Sequence, residues 1–175
     1  MADVPVWLLD VDGVLNATRP GWGGPGLARH VSVDGCTLKL RWEPKAIGCV
    51  RLLHMAGVVE VRWCTTWCPW AGTLEALWHL PTLERTWAEP QPDTWEAKLA
   101  AAQAMLDSGR RLVWTDDDLT AGDLPDVDGR ALLIRPLPRR GLRPEHLHEI
   151  EQFAKEKGGL SDGIRPEGTH CGRKP

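Results

Sequence analysis

Tyrosine is missing from this sequence altogether, and phenylalanine occurs once. Aromatic area must come from tryptophan, of which there are ten. Indole rings bury large surfaces, so most of the ten are expected in the core. A few near a site could stack on a base. An excess of either charge is also missing. Lys and Arg number 21 against 24 Asp and Glu, a net charge of −3, which excludes a global basic footprint for nucleic acid. A nucleic-acid end remains open as a substrate, because a small contact patch need not change the total. Long apolar runs are lacking too. The first, Val4 to Leu9, is broken by Pro5, follows no basic leader, and is too short for a signal-peptide core or a membrane span. Cysteines are few: Cys36, Cys49, Cys64, Cys68 and Cys171 are odd in number and lack zinc-type spacing. They read as reduced thiols of a cytoplasmic protein with no membrane association. No internal repeat or low-complexity block is present.

What is there begins with Trp7-Leu8-Leu9-Asp10-Val11-Asp12-Gly13-Val14-Leu15-Asn16. The apolar run reads as a buried strand of a parallel sheet. Side chains alternate along a strand, so Asp10 and Asp12 can share a face just past its carboxyl end. Gly13 then lets the backbone turn sharply. Open α/β sheets bind ligands at that edge. Two acids this close repel each other unless a cation sits between them or one stays protonated. Mg²⁺ suits the pair: it is hard, takes oxygen ligands and commonly uses one or two carboxylates plus a phosphate. A solvated acidic turn would look the same in isolation, so the downstream partners decide.

Residues 17–28 are rich in Gly and Pro and read as loop. Two alternating stretches, within about 29–42, flank Asp34-Gly35, a strong hairpin signal. Following the DxDG strand directly, this hairpin could hang over the site as a flap. Pro44 to Met55 has a helical stripe with Pro in its first turn. Val58 to Cys64 is a second apolar strand that ends in Thr65-Thr66-Trp67. A hydroxyl there can hydrogen-bond a phosphate oxygen, or merely satisfy nearby backbone. Ala71 to Leu80 reads as a short helix, and 81–92 as irregular with a short strand near Trp87. Asp93, with Glu96 three residues on, caps a further helix that places Lys98 in its first turns. Arg111 to Thr115 is a third strand, ending in Asp116-Asp117-Asp118; Asp123, Asp126 and Asp128 continue the acidic loop. Ala131 to Arg135 is a fourth strand, and a helix opened by Pro144 closes at Gly158-Gly159. Arg135, Arg139, Arg140 and Arg143 form a local basic cluster. The expected organisation is one domain over 1–158 and a polar, mobile tail over 159–175.

Four features line up at successive strand ends: DxD, then Thr, then Lys at a helix start, then paired Asp. In that order the set resembles the haloacid dehalogenase (HAD) superfamily of Mg²⁺-dependent phosphatases and phosphotransferases. Asp10-Val11-Asp12-Gly13 looks like its first motif, Thr65 its second, Lys98 its third and Asp116-Asp117 its fourth. At finer grain, LLDVDGVLN, WCTTW, WTDDDL and IRPLPRRGLRPEHL look similar to HAD domains of actinobacterial and phage proteins, some grouped with RNA repair. The resemblance implies an α/β fold of three layers, Rossmann-like, with a central parallel sheet, a hairpin flap and little or no cap. It implies hydrolysis of a phosphomonoester through an aspartyl-phosphate, on a nucleotide or a DNA or RNA end. Asp10 would be the nucleophile and Asp12 the acid and base. Thr65, with Thr66 as its alternate, and the backbone amides of Val11 and Gly13 would grip phosphoryl oxygens. Lys98, with Lys45 a weaker choice, would stabilise the transition state, and Trp67 and Trp70 could stack on a base. Mg²⁺ would sit on Asp10, the backbone carbonyl of Asp12, and the Asp116/Asp117 pair, with Asp118 as a substitute. A receiver domain uses similar groups in a different chain order. The rival expectation is a catalytically weak protein that keeps the fold and binds a phosphorylated ligand or nucleic-acid end.

Overall fold

The structure is a computed structural model that describes residues 4–20, 22–120, 122–124 and 129–156. Asp126, Asp128, Cys171, the Gly158-Gly159 stop and the expected tail lie outside them. The strands are β1 (Val6–Leu9), β2 (Leu27–Val33), β3 (Cys36–Trp42), β4 (Glu60–Trp63), β5 (Glu84–Arg85), β6 (Leu112–Thr115) and β7 (Ala131–Ile134). The helices are α1 (Pro44–Met55), α2 (Ala71–Trp78), α3 (Thr94–Asp107) and α4 (Pro144–Lys155), with a 3-10 turn at Cys68–Trp70.

β1 is the middle of a five-stranded sheet of order β5-β4-β1-β6-β7, parallel throughout. Its four residues are wholly buried, and they alternate between two cores. Trp7 and Leu9 face the side covered by α1, α2 and α4, where Ile47, Val50, Leu74, Trp78, Ile150 and Phe153 pack. Val6 and Leu8 face α3 through Ala102 and Leu106. The result is an α/β fold with a parallel sheet flanked by helices, as expected. Each fully buried leucine or valine of this sheet contributes about 1.5–3 kcal/mol. The chain leaves β1 toward β4 and β5, then returns to β1's other side for β6 and β7. In such sheets ligands bind beyond the carboxyl ends of the strands where that order reverses.

Local chemistry fixes the element ends. Asp93 accepts a hydrogen bond from the Glu96 amide at 3.0 Å and caps α3, an arrangement that contributes about 1 kcal/mol. Asp34 and Gly35 both take positive φ, 49° and 71°, which makes the tight turn joining β2 to β3. β1 is shorter than the apolar run that announced it. Pro5 stands outside the strand, yet its carbonyl accepts from the Glu60 amide at 2.9 Å. No described helix is long and apolar enough to cross a membrane. The four described cysteines are free.

Candidate active site

The register of the sheet sets the geometry. Leu9 pairs with Trp63 on one side and Thr115 on the other. Asp10, Thr65 and Asp116 therefore emerge at nearly one level, just past the ends of β1, β4 and β6. The Asp10 amide still donates to the Thr115 carbonyl at 3.1 Å, which holds the two acidic termini side by side. From the α3 side, Lys98 reaches both: its Nζ lies 2.8 Å from Asp10 Oδ2 and 2.6 Å from Asp116 Oδ2. All three groups are buried, Asp116 completely. Asp117 joins them, and carboxylate oxygens of Asp10, Asp116 and Asp117 lie within 4.8 Å of one another.

Burial pushes the Asp10 carboxyl up to about 7; the Lys98 ammonium opposes that rise, the Asp116 carboxylate adds to it, and the Thr65 hydroxyl eases it. Burial works against the Lys98 ammonium, but Asp10 and Asp116 outweigh it and hold the proton more firmly than usual. Asp117 is also raised, by burial first and then by Asp118 and Asp116.

Asp12 stands apart. It is exposed, and its carboxylate is no member of the acidic cluster. Oδ2 accepts from the Trp67 indole N–H at 2.9 Å, and Oδ1 accepts from the Asn16 carboxamide at 2.6 Å. Asn16 Oδ1 in turn accepts from the Arg41 amide on β3 at 2.8 Å. The hairpin is thereby tied to Asp12 through one side chain. Two grooves of about 260 Å³ each meet there, sharing Asp12, Asn16 and Lys39. The first is walled by Val33, Leu38, Thr66, Trp67 and Trp70; the second by Thr18, Arg41 and Pro138.

The structure brings Asp10, Thr65, Lys98, Asp116 and Asp117 together and separates other expected members. Asp12's carboxylate lies outside the acidic trio, its oxygens held by Trp67 and Asn16, while the group expected on the ion is its backbone carbonyl. Gly13's amide donates to the Asn16 carbonyl at 2.9 Å, so it is not free to grip an oxyanion. Val11's amide donates to Asp10 Oδ1 at 2.7 Å, which orients the carboxylate instead. Thr66 is exposed on the groove wall, whereas Thr65 is buried and its Oγ1 accepts from the Trp67 amide at 3.4 Å. Lys45 is exposed at the start of α1, and Asp118 is exposed with its amide bonded to Asp116 Oδ1 at 3.0 Å. Asp123 caps its own turn through Thr120.

Two residues have roles their sequence positions did not announce. Asn16 orients Asp12, and its only signal was its place four residues after the acid. Gly13 has φ +71°, and a Cβ there would sit 2.2–2.5 Å from the Asp117 carboxylate. Its missing side chain is the space Asp117 occupies. Trp67 is largely buried, donates its N–H to Asp12 and also lines the first groove. No protein-family model matches the chain and no curated protein matches it, so the chemistry of this site rests on its own geometry.

Proposed function

We propose that this chain is a Mg²⁺-dependent phosphatase of the HAD type, acting on a phosphomonoester of a nucleotide or of a DNA or RNA end through an aspartyl-phosphate. One observation carries the reading: a single buried ammonium bridges two carboxylates at a strand-end switch point, with a third acid alongside and a fourth held apart at the rim.

The donor set fits the ion. All the donors are carboxylate oxygens, which suit a hard cation. Three ionised carboxylates less one ammonium leave two negative charges, the charge one divalent cation neutralises. Asp10, Asp116 and Asp117 would hold it, and the bound ion would offset the negative charge that gathers as carboxylate meets phosphate. The protein's own groups do the rest. An Asp10 oxygen forms a bond to phosphorus as the bond from phosphorus to the leaving oxygen breaks. Asp12, at the mouth of both grooves, gives its proton to that leaving oxygen. It then takes a proton from water as the water oxygen attacks phosphorus, the acyl-phosphate P–O bond breaks, and inorganic phosphate departs. Lys98 and the Thr65 hydroxyl favour the ionised form of Asp10, which nucleophilic attack requires. Among the described residues the β2–β3 hairpin is the element that overlies the site, on one side, and the open rim suits a phosphate carried on a larger molecule.

The test is phosphate release from an aryl phosphate and from 3′- and 5′-phosphorylated oligonucleotides, with Mg²⁺ and with chelator, using Asp10→Asn as control. Metal-dependent release lost in the variant is the expected result. No release from any of these substrates would leave a binding protein for phosphorylated ligands as the better reading.

A further inference from the structure

We propose that the groove walled by Lys39 and Arg41 receives a second phosphate of the substrate, so that substrates carrying one are preferred over simple monoesters. The inference rests on the phosphatase reading and adds the leaving group's chemistry to it.

Two cations beside the site have no ion-pair partner among the described residues. The acids at the centre already face Lys98. Lys39 and Arg41 are two apart on β3 and share a face, while Leu40 and Trp42 between and beside them turn into the core. Lys39 is exposed and Arg41 half-buried, and both line the groove that begins at Asp12. A leaving oxygen protonated by Asp12 must carry the body of its molecule away from that carboxylate, into one groove or the other. The first groove is walled mainly by Val33, Leu38 and the two indoles, and suits an apolar portion. The second offers two cations and the Thr18 hydroxyl, and suits an anion. The arrangement is held in register with the reaction. Arg41's own amide bonds Asn16, and Asn16 bonds Asp12, so the groove keeps its place relative to the acid.

Arginine and lysine differ here in what they bring. The guanidinium can take two phosphate oxygens at once, while the ammonium acts as a point charge reaching both grooves. Each charge-assisted hydrogen bond to a phosphate contributes roughly a ten- to hundredfold preference.

The experiment compares kcat/KM for three Mg²⁺-supported substrates: a nucleoside 3′-monophosphate, the matching 3′,5′-bisphosphate, and a 3′-phosphorylated oligonucleotide. The full chain should favour the second and third over the first by about tenfold or more. Lys39→Gln and Arg41→Gln should each pull that ratio toward one, mainly through KM. Loss of the ratio for the bisphosphate and the oligonucleotide alike means that one neighbouring phosphate suffices; loss for the oligonucleotide alone means that a polymer supplies it. A wild-type ratio near one, or a ratio that survives both substitutions, overturns the inference while leaving the phosphatase reading intact. Binding keeps the two readings separable when turnover is absent. Bisphosphate titrated into Asp10→Asn, followed by tryptophan fluorescence, should weaken about tenfold with either groove substitution added. Unchanged affinity refutes the groove whatever the catalytic outcome.

Discussion

Replacing Lys98 with methionine strands two carboxylates that its ammonium now serves. The contacts are 2.8 Å to Asp10 and 2.6 Å to Asp116, among side chains that are 7, 6 and 0 % exposed. Water cannot take the lost partner's place at such a site. Removing one member of a buried pair costs about 3–5 kcal/mol. Asp10 titrates near 7 even with the lysine present, so it takes up a proton in the variant and holds the loss to the lower part of that range. For a chain of this size a loss of about 3 kcal/mol lowers Tm by about 6–12 °C. The assay is thermal and urea unfolding in chelator, followed by the fluorescence of the ten tryptophans. Adding Asp116→Asn to Lys98→Met removes one stranded acid and should recover part of the loss, a coupling of about 0.5–3 kcal/mol in a double-mutant cycle. A variant within about 0.5 kcal/mol of wild type in chelator would refute the view that this ammonium holds the acidic centre together.

Three further expectations concern the site's supports. Trp67→Phe keeps the packing and deletes the N–H that holds Asp12; kcat/KM should fall more for alkyl phosphates than for p-nitrophenyl phosphate, whose leaving group needs no proton. An equal loss on both would show that the indole does not act through Asp12. Gly13→Ala drives a methyl against the Asp117 carboxylate at a positive φ, so Mg²⁺ affinity read by calorimetry should drop at least tenfold; unchanged affinity would remove Asp117 from the metal's partners. His146 Nδ1 accepts from the Arg143 amide at 3.2 Å at the start of α4, and burial holds its pKa below the usual 6.5, with Arg143 adding and Glu149 and Glu145 opposing. Its neutral form is therefore favoured by folding. That contribution is complete above pH 6.5 and lost as pH falls through the lower folded value. His146→Gln, which can accept the same bond without titrating, should flatten this part of the stability profile; an unaltered profile would place the acid sensitivity elsewhere.

The elements that sequence announced are those whose signal is local. Asp34-Gly35 could only turn one way between two alternating stretches, and Asp93 with Glu96 could only cap a helix. The site was legible because strand ends are legible: each apolar run stops at a polar residue, and a parallel sheet brings those stops to one edge. Side-chain direction was not. Nothing in the order Asp10-Val11-Asp12 says that the first acid points to Lys98 and the second to Trp67. Glu75 is a similar case. On an apolar helix a glutamate reads as solvent-facing, yet it is buried and accepts from the Trp63 indole and the Leu83 amide, both at 3.0 Å. Tryptophan's need for an acceptor recruits it, and a chain without tyrosine has many such needs. The short strand expected near Trp87 stands at Glu84–Arg85, two positions before it, because two residues carry no periodicity to fix their bounds.

The bond between the Trp7 indole and the Thr115 hydroxyl, 3.0 Å long, joins neighbouring strands whose sequence positions differ by 108. Such a contact closes only after most of the polypeptide has been threaded into place, and loops of that length make parallel sheets slow to assemble. Asp10 and Lys98, 88 positions apart, meet under the same constraint. No short fragment can hold both, so any turnover this centre supports must wait for the parallel sheet that joins them.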